Sequence, residues 1–392
     1  MSEPSDLIER ARALQPLIMR EADEIERTRR LTRPVVSALI ENGLYRMLLP
    51  RSLGGSEIPL ASFMQVVEEV AKADASTAWC LGQNSVCATV SAYMDHDAAK
   101  QIWATPTDIL AWGSIGGEVR VAPGGYTATG RWEFASGMRQ ASWLGAHVFV
   151  IGPDGQRRRK RDGAPEVRTI LFPINKATLY DVWNVIGLKG TGTDSYSVDN
   201  LFIGEQFAAF RDEPSALREQ GPLYRIPSMF VYAMGFAAVS LGVARAMLDA
   251  FGDLARGKTS FGSKPMRDNN AVQAQLGRNE GNLRAARAYL YATANEVWHD
   301  VAWVGERTTS QFTDKHRTAL RLASTWTIHQ AAAVVDVAYH LAGSTAVFQS
   351  GQFERRFRDM HAIAQQLQGR DTHYETVGQS ILGMDANAPG SN

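Results

Sequence analysis

The chain changes character twice, and this constrains its fold more than any single motif. Residues 1–106 carry apolar positions at helical spacing. From about Thr107 the pattern becomes short β-rich runs such as "YTATGRWEFASG", "WLGAHVFVIG", "VRTILFPI" and "SYSVDNLFIG", separated by Gly, Pro and Asp. After Pro227 the helical period returns in longer segments. In "SMFVYAMGFAAVSLGVARAMLDAFGDLARG" one stripe holds Phe230, Met234, Ala237, Leu241, Ala244 and Leu248. The last helical segment, "FERRFRDMHAIAQQLQG", lines up Phe357, Met360, Ala364 and Leu367. The reading is an α+β protein: a helical domain over 1–106, a β-barrel or sandwich over 107–206, and an antiparallel four-helix bundle over 207–392.

Local signals agree with this order. Thr32, Pro34 and Gly43 bracket a helix as cap, first turn and stop. "ASTAWCLGQNSVCATVSAYM" is rich in small and apolar residues and predicts a buried helix. Lys+Arg 41 balances Asp+Glu 41, which gives no support for a nucleic-acid or anionic-membrane partner. The one dense basic run, Arg157 to Arg161, sits between turn signals and reads as a solvated hairpin loop. Cys80 and Cys87 lie two helical turns apart, too far for a disulfide. A reduced, cytoplasmic setting is expected, with no apolar run approaching the roughly 18 residues of a membrane span.

The chain has no GxGxxG after a strand, no P-loop, no HExxH and no GxSxG. The histidines form no close pair at metal-ligand spacing, so no metal is expected. What remains is "GRWEFASGMRQASW", Gly130 to Trp143, where a strand halts at Ser136-Gly137 and resumes with a tryptophan. Trp132 and Phe134, two apart, are expected on one side of that strand. From the residues alone, the turn is a hairpin whose serine caps its own backbone, or a small hydroxyl and bare amides held against a flat ring.

Four segments in order, "STAWCLGQNS", "LAWGS", "GGYTATGRWEFASG" and "ERRFRDMHAIAQQ", together with "KTSFGSKPMRDNNAVQAQLGRNEGNLRAARAYLY" and "GLKGTGTDSYSVDNLFIG", resemble the acyl-CoA dehydrogenase fold over nearly the whole chain. The details are similar to its two-component flavin-dependent monooxygenase branch. That resemblance implies reduced FMN or FAD, loosely bound and supplied by a flavin reductase. It implies O2 as co-substrate, a C4a-hydroperoxide on the flavin, a small aromatic or heteroaromatic substrate, and a homotetramer. It places Ser136 and Gly137 against the central ring, with Ser136 as a donor. Trp112, Gly113 and Ser114 would face the pyrimidine end through backbone groups, and Ser344 would line the flavin from a neighbouring subunit. Lys258 and Phe261 fall in the family's phosphate-side segment, with lysine where the dehydrogenases have arginine.

Trp79 and Asn84 are candidate substrate contacts; the alternatives are a core tryptophan and an amide bonded to nearby backbone. Lys258 could equally be a solvated helix-end lysine, Trp112 a core residue and Ser344 part of a helix-end turn. Gln366 stands where phenol-hydroxylating relatives have a histidine base, and glutamine takes no proton at neutral pH. His361 and His373 are the nearest replacements, each with a packing role as its alternative. Two other functions stay open: an acyl-CoA dehydrogenase, although "HYETVGQ" lacks the family's glycine beside Glu375, and a non-catalytic flavin- or partner-binding member of the fold.

Overall fold

The computed structural model describes residues 3–161, 163–259, 264–302 and 312–384. Five helices come first: α1 (Pro4–Thr28), α2 (Arg33–Glu41), α3 (Leu60–Ala73), α4 (Ala75–Cys87) and α5 (His96–Ile102). Thr32 holds the cap position of α2, but its side chain makes no cap bond; the start rests on Pro34 and the stop on Gly43 at φ +73°. α4 is the buried helix. Asp74 caps it, accepting from the Thr77 amide and hydroxyl, each at 2.7 Å. Among its residues only Gln83 is not fully buried. Both cysteines are free and buried.

Eight strands follow: β1 (Leu110–Trp112), β2 (Glu118–Ala122), β3 (Gly125–Ala135), β4 (Trp143–Ile151), β5 (Val167–Pro173), β6 (Thr178–Tyr180), β7 (Asp194–Gly204) and β8 (Ala208–Ala209). They form one mixed sheet in the order β6-β7-β3-β2-β4-β5-β8, with β1 also on β4. β1 and β2 run parallel to β4 and the remaining pairs are antiparallel. Trp132, Tyr196 and Phe172 fill its core.

The end of β3 departs from strand alternation. The β3–β7 register shifts between Trp132 and Ala135, and Phe134 takes φ +61°. The bulge breaks the two-residue period. Trp132 is therefore fully buried while Phe134 is 62% exposed, instead of the two sharing a face. The basic run Arg157–Arg161 is an exposed hairpin tied back locally: Arg157 lies 4.0 Å over the Phe149 ring, Arg158 pairs with Glu166 and Lys160 with Glu213.

The remaining helices are α6 (Ser228–Gly257), α7 (Asn270–Ala302), α8 (Asp314–Ala342), α9 (Gln352–Ala364) and α10 (Thr372–Ile381). α6 is the axis of the molecule, touching α3, α4, α7, α8 and α9. Contrary to expectation, it is apolar and long enough to pass as a membrane span, with a mean hydropathy of 1.6 over an 18-residue window; 94% of that window is buried by other helices. Small residues allow this all-round packing, since a Cβ on Gly242 would sit 2.4 Å from the Glu68 carbonyl oxygen. Glu68, buried in α3, is held by Arg287 at 2.8 Å and by the Tyr291 hydroxyl at 2.6 Å, both from α7. α9 ends at Ala364, earlier than its apolar spacing suggests. Leu367 is 45% exposed, and Gln366 lies beyond the helix as the cap of a 3-10 turn.

Candidate active site

The turn after β3 packs on α4. Trp79 donates its indole N–H to Ser136 Oγ at 3.1 Å, and its ring stacks on Phe236 of α6 at 3.7 Å and 3°. Gly137 takes φ +73°, and a Cβ there would sit 2.4 Å from Asn84 Oδ1. Glycine is required twice over, by backbone sign and by the approach of that amide. Asn84, 2% exposed, donates to the Leu110 carbonyl at 2.9 Å and accepts from Gln140 Nε2 at 3.1 Å. It is thus a buried strut between α4, β1 and the turn, with the backbone bond that the alternative reading expected.

A second segment, Gly187–Asp194, closes the other side. Ser136 Oγ meets Thr193 Oγ1 at 2.7 Å, Thr193 meets Thr191 Oγ1 at 2.7 Å, and Thr191 donates to the Leu188 carbonyl at 2.8 Å. The Gly137 amide donates to the Thr191 carbonyl at 3.1 Å. Arg139 bridges Asp194 at 2.6 Å and Asp181 at 2.9 Å, while Asp194 accepts from the amides of Val182 and Trp183. These bonds hold Trp183, whose ring meets Phe134 edge to face at 6.5 Å. From α9, Asp359 accepts the Leu188 amide at 2.6 Å. Burial, with nearby Asp74, pushes the Asp359 carboxyl up to about 7. Thr191, Thr193, Asp194, Trp183 and Asp359 escaped sequence reasoning; the threonines alternating with glycines in "GTGT" were the available signal.

Of the other expected residues, Gly113 and Ser114 lie against Glu133, next to Phe134. Trp112 is 3% exposed, packs edge-on against His147 and joins the core shared with the helices. The Gly113 amide donates to Tyr196 Oη and the Ser114 amide to the Glu133 carbonyl. Their N–H groups are thus engaged by β7 and β3. Lys258 donates to the Ala342 carbonyl and to Thr345 Oγ1, both at 2.8 Å, capping α8 beside the exposed Ser344. Phe261 lies outside the described residues. Gln366 Oε1 accepts from the Gln368 amide, while its Nε2 is buried without a partner among the described residues. His361 pairs with Asp336 at 2.9 Å, and His373 bonds Thr325 at 3.0 Å with burial lowering its pKa. No hydrogen bond, ion pair or ring contact among the described residues joins Gln366, His361, Lys258 or Ser344 to the Ser136 group. A cleft of about 810 Å³ opens nearby, lined by Arg29, Ile186, Lys189, Tyr339, Phe357 and Arg358 among others. No metal-ligand cluster occurs among the described residues.

Comparison with known proteins agrees with this architecture. An acyl-CoA dehydrogenase N-terminal domain model matches residues 6–107, and an acyl-CoA dehydrogenase C-terminal domain model matches residues 234–368. Indole-3-acetate monooxygenase of Acinetobacter baumannii is 27% identical, covering 94% of this chain and 92% of the relative. The oxygenase subunit HsaA of a flavin-dependent monooxygenase of Rhodococcus jostii is 26% identical, covering 91% and 92%. XiaF from Streptomyces, solved with FADH2 and glycerol, superposes with a TM-score of 0.88 at 21% identity, covering 98% of this chain and 97% of that one. With its three-part fold and these relatives, the chain belongs to the acyl-CoA dehydrogenase-fold flavoproteins, and within them to the flavin-dependent monooxygenase oxygenase components.

Proposed function

We propose that the chain hydroxylates a small aromatic or heteroaromatic molecule, using O2 and reduced FMN or FAD delivered by a separate reductase, and that the flavin ring lies on the surface formed by Phe134, Trp183 and the Ser136–Gly137 turn. The observation that carries the placement is Phe134. A large aromatic residue is held in left-handed backbone, 62% exposed, two residues from a buried serine. Strained, exposed aromatics of this kind cluster at ligand sites. The lining fits a flat, largely apolar ring: two aromatic side chains and one hydroxyl. Bound reduced flavin supplies the two electrons that O2 activation requires.

The protein's own part is to exclude water and hold the ring. The Trp79–Phe236 stack seals the floor behind Ser136, and Arg139 with Asp194 fixes the segment bearing Trp183. Lys258 keeps one N–H beyond its two bonds for a phosphate, a weak hold suited to a flavin that comes and goes. Relatives named for aromatic substrates support that substrate class. Exposed Ile186, Val347 and Phe348 support an assembled homotetramer, and the free thiols suit the cytoplasm. Glu375, the candidate base of a dehydrogenase, is exposed on α10, which disfavours that alternative.

The test is anaerobic. Purified chain is mixed with dithionite-reduced FMN or FAD, then with oxygenated buffer in a stopped-flow spectrometer. Retention of reduced flavin, followed by a long-lived absorbance belonging to neither free redox form, is expected. Stoichiometric oxidised FAD that survives gel filtration and is bleached by an acyl thioester would refute the proposal.

A further inference from the structure

The hydroxyl chain between Trp79 and Leu188 takes its direction from its carbonyl end, where the Leu188 oxygen also accepts the Trp183 indole N–H at 2.9 Å and the Thr191 amide at 3.2 Å. The indole N–H of Trp79 can only donate, so Ser136 Oγ accepts from it. The Leu188 carbonyl can only accept, so the Thr191 proton points at it, at 2.8 Å. Thr191 Oγ1 and Thr193 Oγ1 lie 2.7 Å apart, and with the Thr191 proton already placed, Thr193 must donate to Thr191. By the same step Ser136 must donate to Thr193 across 2.7 Å. Thr191 is 1% exposed, Thr193 5% and Ser136 6%, so the three hydroxyls satisfy one another first. The Ser136 proton is therefore aimed into the protein, and one lone pair is all its hydroxyl has left for a ligand.

We propose that Thr191 and Thr193 are positioning residues that make Ser136 a hydrogen-bond acceptor toward the bound flavin, and thereby select the redox state that binds. This rests on the flavin site proposed above. The reduced isoalloxazine carries an N–H at N5, and the oxidised ring carries a bare nitrogen there. An acceptor at Ser136 pairs with the first and opposes the second, whose lone pair it would face. The role read from sequence, Ser136 as a donor, is thus reversed by residues 55–57 positions further along the chain. The anchor of the chain is itself fixed, because Leu188 sits at φ +51° with its amide on Asp359.

Equilibrium dialysis under argon, with FMN and FAD each in oxidised and dithionite-reduced form, tests this without any turnover. The wild-type chain should bind the reduced form at least about tenfold more tightly than the oxidised. Thr193→Val removes the acceptor of the Ser136 proton at constant shape. Thr191→Val removes the terminal donor, so that the Thr193 proton can turn to Ser136 and the Ser136 proton outward. Either variant should lower the reduced-to-oxidised affinity ratio about three- to tenfold, mainly by improving oxidised-flavin binding. Ser136→Ala should lower reduced-flavin affinity instead, a pattern that general loosening of the fold does not produce. If both threonine variants bind flavin with an unchanged ratio, or if the wild-type chain binds both forms equally, the inference is wrong while the flavin site stands. If the wild-type chain binds neither form, the flavin reading falls and the inference falls with it.

Discussion

Two glycines provide a controlled measurement of what the Ser136 turn demands. Gly43 and Gly137 both sit at φ +73°. A Cβ on Gly43 would meet nothing within 4 Å, whereas one on Gly137 would sit 2.4 Å from Asn84 Oδ1. Gly43→Ala therefore bears only the left-handed backbone penalty, roughly 1–2 kcal/mol. Gly137→Ala bears the same penalty and must also displace a buried amide that holds Leu110 and Gln140. Leaving buried partners unsatisfied costs about 1–3 kcal/mol. The total for Gly137→Ala is then about 2–5 kcal/mol, and its excess over Gly43→Ala is about 1–3 kcal/mol. Urea unfolding followed by tryptophan fluorescence gives both values. In an Asn84→Ala background the excess should vanish, since the obstructing amide is gone. Equal costs for the two glycines in the otherwise native chain would refute the claim that Asn84 is a fixed strut and would return its amide to the cavity.

Arg139→Ala should destabilise the chain by about 3 kcal/mol in the same assay, because it leaves Asp194, 3% exposed, without its cation; Arg139→Lys should recover little, since one ammonium replaces a fork that reaches both Asp194 and Asp181. Asp359 makes stability pH-dependent in a defined direction. Its folded carboxyl titrates at about 7 against an ordinary 3.8, so its contribution is fully present below pH 4 and is lost as pH rises toward 7, on the order of 4 kcal/mol in all. Asp359→Asn keeps an acceptor for the Leu188 amide and removes the titration. The gap between the melting temperatures of variant and wild type should therefore widen in the variant's favour from pH 5 to pH 8, and a constant gap would show that the carboxyl carries no such cost.

Features that depend on the local chain were legible in the sequence. The stripe from Phe230 to Leu248 marked α6, Gly43 marked the end of α2, and the small residues between Ala75 and Ala92 marked a buried helix, which runs as α4 to Cys87 and as a 3-10 turn to Tyr93. What failed depended on partners far along the chain. Phe134 and Trp132 have the spacing of one face, but a bulge against β7 separates them. The hydrogen-bond partners of Asn84 were not legible either, because Leu110 and Gln140 lie 26 and 56 residues away. Gln366 kept the period of α9, yet the helix stops at Ala364. The hydroxyl chain of the Ser136 site is invisible in sequence because its members sit on α4, on the turn after β3 and in the loop before β7, which meet only in the fold.

The all-round burial of α6 also sets the order in which the chain can be made. The apolar core that begins at Leu7 runs through α3 into α6 and on to Ile363, while the sheet keeps a separate core of its own. A ribosome releases α3, which ends at Ala73, long before α6, which ends at Gly257. At about 5–20 residues per second, the N-terminal helices wait roughly 10–40 s for the helix they pack against. The sheet can close during that wait; the first helices cannot. A truncated product ending after the sheet would display the apolar faces of α3 and α4 to solvent, making it a client for chaperones and proteases, while the core around Trp132, Tyr196 and Phe172 needs no helix to close it.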